Sequence, residues 1–192
     1  MSVSLKSVVA IGLLGLAAAA QASTAGVTVV GSSAAVNNAA FAADGFTPAN
    51  STFWQSNAAW WNGSANTIDF KLDQAYQLSS ATVTLDWNDV YRFSASTDGV
   101  NYTTLFTTSG LFDQPVGANV GAGQVTLPVT FAQSADAFRF VRVQALYGDN
   151  SYSVGEVSFS GVAAAVPEPS SVALMLAGAG LLGAVARRRR AR

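Results

Sequence analysis

Two stretches of the chain set aromatic rings beside small polar side chains: Trp60-Trp61-Asn62-Gly63 and Tyr147-Gly148-Asp149-Asn150-Ser151-Tyr152. A sugar ring stacks on an aromatic face while amides and carboxylates fix its hydroxyls, so this composition in open loops suits carbohydrate recognition. Trp60, Trp61, Asn62, Tyr147, Asp149 and Asn150 are therefore the candidate ligand contacts. Adjacent side chains on a strand point to opposite faces, so one of the two tryptophans can instead be buried. A third polar group, Asn88, Asp89 and Arg92, reads either as a reduced polar site or as a tight turn. Other chemistry is excluded by absence. With no cysteine and no histidine, the chain has no thiol nucleophile, no Cys/His zinc site and no imidazole base. Carboxylates could supply a glycosidase pair, but no two stand in a recognisable catalytic setting, and no catalytic residue is expected. The Gly-rich run from Gly117 to Gly123 has no helix after it and reads as a loop, not a phosphate cradle.

These residues need a scaffold, and periodicity supplies it. All 20 aromatic residues lie between Phe41 and Phe159, which places the core there. Period-two alternation recurs at Ile68, Phe70, Leu72; at Val83, Leu85, Trp87; at Tyr91, Phe93, Ala95; and at Val125, Leu127, Val129, Phe131. Each set lines one face of a strand. Val27 to Val30, Tyr102 to Thr107, Phe138 to Leu146 and Val154 to Phe159 add further strands. Asp98-Gly99 reads as a turn between strands, and Pro128 confines its strand to a sheet edge. About eight strands predict an all-β, two-sheet sandwich, most simply a jelly roll.

The two ends read as addresses. Lys6, the apolar run Val8 to Ala20 and Ala20-Gln21-Ala22 form the pattern of a secretory signal peptide cut after Ala22. At the other end, Pro167-Glu168-Pro169 precedes an apolar stretch, Val172 to Ala186, and then five arginines. That stretch is at the short limit of a spanning helix, and the arginines would hold its end in the cytoplasm. The expected organisation is 1–22 signal peptide, 23–165 body and 166–192 sorting segment. The whole chain has a formal charge of −1. The body keeps four basic residues (Lys71, Arg92, Arg139, Arg142) against ten acids, a net charge of −6. That balance gives no ground for a nucleic-acid partner.

The C-terminal residues 166–192 resemble the PEP-CTERM sorting signal: Pro167, Glu168 and Pro169, a hydrophobic helix and an arginine cluster in that order. The resemblance implies export by an exopolysaccharide-producing Gram-negative bacterium. It further implies transient anchoring in the inner membrane and processing by a membrane-embedded exosortase. The body resembles discoidin, or F5/8 type C, domains of the galactose-binding-like group. The residues that carry this are Ala42-Ala43-Asp44-Gly45 through Thr52-Phe53-Trp54-Gln55, Thr67 to Leu72, Phe93 to Tyr102, Phe138 to Val143 and Val154-Gly155-Glu156-Val157. The resemblance implies a sandwich that binds ligands through loops at one end, with Trp54 in the core. It also implies a structural calcium on Asp44, Thr52 and Glu156, with loop carbonyls completing the shell. Without the cation, Asp44 would close an Asx turn and Glu156 would pair with Arg139 or Arg142. The function expected is a non-catalytic binding module for extracellular polysaccharide at the cell surface or in the matrix. The alternatives are a structural matrix protein without a small ligand and, last, a jelly-roll glycoside hydrolase.

Overall fold

A computed structural model describes residues 21–108, 123–165, 176–180, 182 and 187–188. Nine strands run β1 (Ala22–Thr24), β2 (Val27–Ser32), β3 (Ala59–Asn62), β4 (Thr67–Asp86), β5 (Val90–Ser96), β6 (Thr103–Thr107), β7 (Gln124–Thr130), β8 (Phe138–Tyr147) and β9 (Ser151–Ala163). One 3-10 turn, Ala39–Ala43, lies between β2 and β3.

The pairing is antiparallel throughout and is organised by β4, which is 20 residues long. Its first half pairs with β2 and β8, and its second half with β7 and β9. The strand thus belongs to two layers. One is β2-β4-β8-β5-β6, and the other is β7-β4-β9 with β3 and β1 on the far side of β9. Register shifts between Lys71 and Tyr76 and between Leu78 and Ser80 mark the crossing, where bulges bend a strand. The interior holds most of the residues that alternation assigned to it: Ile68, Phe70, Leu72, Val83, Leu85, Tyr91, Phe93 and Ala95 are buried, joined by Val141 and Val143 of β8, while Val125, Leu127, Val129 and Phe131 are only partly buried. Phe93 of one layer meets Phe159 of the other at a ring distance of 6.3 Å. This is the all-β sandwich that the sequence predicts, and among the described residues β7, which carries Pro128, pairs only with β4.

Three expectations need correction. Trp54 is not in the core: it is half-buried, with its ring edge-on to Trp60 at 5.6 Å. Trp87 does not continue its strand; it begins the turn after Asp86. The segment around Trp60 and Trp61 is not a loop but β3, paired with β9. Residues 1–20 of the expected signal peptide, residues 109–122 with most of the Gly-rich run, and Pro167 to Pro169 lie outside the described residues, as does most of Val172 to Ala186. Among the described residues no helix is long and apolar enough to cross a membrane.

Candidate functional site

At one end of the sandwich three connections meet: 63–66 between β3 and β4, 87–89 between β4 and β5, and 148–150 between β8 and β9. They meet because Val90 pairs with Tyr147 and Asn62 with Ser151, so antiparallel register brings their turns to the same pole. Asn62 donates through Nδ2 to the Asn150 carbonyl at 3.0 Å and to Ser151 Oγ at 3.3 Å. Asn88 donates through Nδ2 to Asp149 Oδ2 at 2.9 Å, and Asp149 Oδ1 accepts the Ser151 N–H at 2.9 Å. Asn150 takes a left-handed φ of 78°, a conformation asparagine tolerates better than most side chains. Tyr147, 61% exposed, stands at the rim. Of the predicted contacts, Asn62, Tyr147, Asp149 and Asn150 are therefore brought together.

Trp60 and Trp61 are not. Their adjacency on β3 sends them to opposite faces. Trp61 is fully buried, with its ring near Tyr91 (6.3 Å) and Tyr152 (6.1 Å). Its place is the core, which corrects the expectation of a ligand contact. Trp60 stays half-exposed on the outer face of the layer, beside Trp54.

Beneath the turns lie two carboxylates that sequence reasoning did not assign to this floor. Asp86 and Asp89 are buried. Asp89 Oδ1 accepts the Asp149 N–H at 3.3 Å, and its Oδ2 lies 3.1 Å from the Tyr91 hydroxyl, which in turn accepts the Ser153 N–H at 2.9 Å. Burial, then the charge of Asp86, pushes Asp89 up to about 8. Burial and the charge of Asp149 push Asp86 to about 7. A β-carbon at Gly148 would stand 1.7 Å from Asp89 Oδ1, so only glycine lets the turn close over this carboxylate. Asp89 is a tie between two turns, with both oxygens engaged. Arg92 is elsewhere: its guanidinium bonds Gln144 Oε1 on the neighbouring strand. The tight-turn reading of 87–92 is the one that holds.

The residues implied for calcium lie on the 44–52 loop and the outward side of β9. Gly45 N–H donates to Glu156 Oε2 at 3.1 Å. Burial pushes Glu156 up to about 7, opposed by that bond, while the nearby charge of Asp44 adds to the upward push. Asp44 also closes an Asx turn, accepting the Phe46 N–H at 2.8 Å. Thr52 Oγ1 donates to the Ala49 carbonyl at 2.6 Å, which leaves its lone pairs free to face a cation. Glu156 does not pair with Arg142, which forks onto Asp69 at 2.6 and 2.9 Å, and its described partners are backbone N–H groups rather than Arg139. Two carboxylates drawn together without a countercharge, with a hydroxyl on the same loop, are an oxygen set of the kind Ca²⁺ takes. Among the described residues no three of His, Cys, Asp and Glu come together as metal ligands, so carbonyls would have to complete the shell.

A model of the PEP-CTERM protein-sorting motif matches residues 165–190. The chain carries this sorting signal. It marks an exported protein and begins two residues after β9 ends at Ala163. No curated protein matches the chain. Among solved structures, the chain is similar to a family 89 glycoside hydrolase from Clostridium perfringens in complex with its substrate GlcNAc-alpha-1,4-galactose, at 19% identity and a TM-score of 0.50. That match covers 77% of this chain but 15% of the enzyme, so this chain corresponds to a small part of it. A C-terminal domain of a chitobiase from Bacteroides fragilis matches at 14% identity and a TM-score of 0.50, covering 73% of this chain and 96% of that domain. CBM32-3 from a family 31 glycoside hydrolase of C. perfringens matches at 18% identity and a TM-score of 0.49, over 71% of this chain and 91% of the module. The body shares the fold of the chitobiase domain and of the part of the family 89 hydrolase that it matches.

Proposed function

We infer that the exported body is a non-catalytic carbohydrate-binding module whose ligand seats on the turn cluster of Asn62, Asn88, Tyr147, Asp149 and Asn150. The observation that carries this is the arrangement itself. An exposed aromatic, Tyr147, ends β8 next to a turn whose amide and carboxylate groups are fixed to one another by hydrogen bonds, which lowers the ordering cost of binding. A hydrolytic role finds no support in the carboxylates. At the turn cluster Asp86 and Asp89 are buried under the turns and Asp149 is bonded to Asn88 and Ser151, so the described carboxylates of that cluster do not offer an open pair. The sorting signal supports delivery to the surface or matrix of a Gram-negative cell, with Met1 to Ala22 as a cleaved signal peptide. An exosortase would act on the C-terminal segment while it is held in the membrane. The natural ligand class is then extracellular polysaccharide.

A glycan array probed with the wild-type protein and with Tyr147→Ala tests the reading. At least one carbohydrate should be retained by the wild type and released by the variant; equal retention, or none, overturns it. Calcium on Asp44, Thr52 and Glu156 is the companion proposal. Excess calcium should raise the melting temperature relative to chelator, and Glu156→Gln should abolish the difference. Identical melting in calcium and chelator contradicts it.

A further inference from the structure

Outside the turn cluster, the largest departure from expectation is the position of Trp54, which joins other rings in a contiguous apolar surface of the kind that marks an interaction site. Phe53, 55% exposed, lies 6.0 Å from Trp54, and Trp54 meets Trp60 edge-on at 5.6 Å and 89°. The three rings form one aromatic strip on the outer face of β3 and the loop before it. We propose that this strip is a second carbohydrate subsite, continuous with the turn cluster, that fits the module to an extended neutral polysaccharide chain rather than to a single sugar. The proposal rests on the function inferred above and adds a substrate class to it.

Three observations bear on the occupant. Residues 45–68 contain no Asp, Glu, Lys or Arg, yet they hold three of the four tryptophans. Asn37, whose Nδ2 donates to the Trp60 carbonyl at 3.3 Å, and Asn62 on the same strand set amides beside the rings, groups suited to the hydroxyls of a sugar chain. Trp60 and Asn62 share one face of β3, and Asn62 bonds the Asn150 carbonyl, which makes the strip continuous with the turns.

The strip is also held rigid from below. Gln124, buried on β7, donates through Nε2 to the carbonyls of Phe53 (3.3 Å) and Ser56 (2.8 Å). Its backbone bonds both ways, the Gln124 N–H to the Thr52 carbonyl and the Ser51 N–H to the Gln124 carbonyl, each at 2.8 Å. A β-carbon at Gly123 would lie 2.5 Å from the Thr52 carbonyl oxygen, so glycine is what lets the loop lie so close. Rings fixed in this way lose little conformational freedom when a chain stacks on them. Gln124 is a positioning residue for the strip.

The test uses the full-length protein titrated with galactose, N-acetylglucosamine and their β-linked oligomers up to the hexamer. Wild type should bind a hexamer on the order of tenfold more tightly than its monomer. Trp60→Ala should remove most of that gain and leave monomer affinity unchanged, Phe53→Ala should remove part of it, and Tyr147→Ala should weaken both. Phe53 is exposed, so its variant carries the test if Trp60→Ala fails to fold. Equal affinity for monomer and hexamer, or a hexamer gain that survives both strip variants, overturns the subsite and leaves the turn cluster standing. Absence of binding by all of these sugars overturns the subsite, and retention of no carbohydrate on the array overturns the turn cluster as well. Concentration-dependent self-association that disappears in Phe53→Ala would assign the strip to a second copy of the chain and also overturn the subsite.

Discussion

The two ends of the sandwich use aspartate in opposite ways. At the end away from the candidate site, Asp98 closes the β5–β6 hairpin. It accepts the N–H groups of Val100 and Asn101, the Asn101 side-chain amide and the Ser96 hydroxyl, all at 2.8 Å. These donors hold its carboxyl far below the ordinary range while it stays in solvent. At the end that carries the candidate site, Asp86 and Asp89 are buried near one another and near Asp149, and burial pushes them up to about 7 and about 8. The hairpin aspartate is placed where its charge is satisfied. The buried pair is placed where charge is penalised, and there Asp89 ties the 148–150 turn to Tyr91.

The contrast can be broken most forcefully at glycine. Gly148→Ala would drive a methyl into Asp89 and separate the turns; carbohydrate retention should be lost and stability should fall by about 1–3 kcal/mol. Gly99→Ala, at a φ of 77° in the Asp98 hairpin, should cost about 1 kcal/mol and leave retention unchanged. Retention and thermal melting on both variants check this. Loss of retention only in Gly99→Ala would reverse the assignment of the two ends.

Acidity is the next lever, and its sign differs between the ends. Asp86, Asp89 and Glu156 hold protons in the fold to about pH 7 or 8, whereas unfolded carboxyls release them near 4. The folded state thus binds more protons between those limits, so their contribution to stability is full below about pH 4 and is lost as pH rises towards 8. Melting temperature should therefore climb as pH is lowered from 8 to 5. Asp89→Asn should flatten that climb, whereas Asp98→Asn should leave it intact. A melting temperature that falls over this interval would contradict the burial of the pair. The smallest effect belongs to Asp98: its contribution is present above the ordinary carboxyl range and fades only in stronger acid. Asp98→Ala should lower the melting temperature slightly at pH 7 and change no ligand binding.

Much of the fold was legible because alternation is local. Ile68-Phe70-Leu72 and Tyr91-Phe93-Ala95 each report a strand without reference to anything distant. The unity of β4 was not legible, because Asp73 to Ser80 carry no clear period where the strand bends between layers. β3 was hidden by its own composition, since two tryptophans before Asn-Gly look like a binding loop. Asn62, Tyr147, Asp149 and Asn150 could be found from residue type. Asp89 could be named beside Asn88 and Arg92, but its crowding with Asp86 and Asp149 could not be read, because it arises from turns about 60 residues apart in sequence. Trp54 failed for the same physical reason. Its loop is pinned by Gln124, 71 residues from Phe53, and no local pattern states that the tryptophan faces outward.

The most direct measurement is amide chemical-shift mapping of the isotopically labelled protein, titrated with the carbohydrate best retained on the array. The account predicts saturable shifts at Asn62, Asn88 and Tyr147 to Asn150, with Ser96 to Asn101 silent. Shifts centred on the Asp98 hairpin, or spread evenly over both ends, would contradict it.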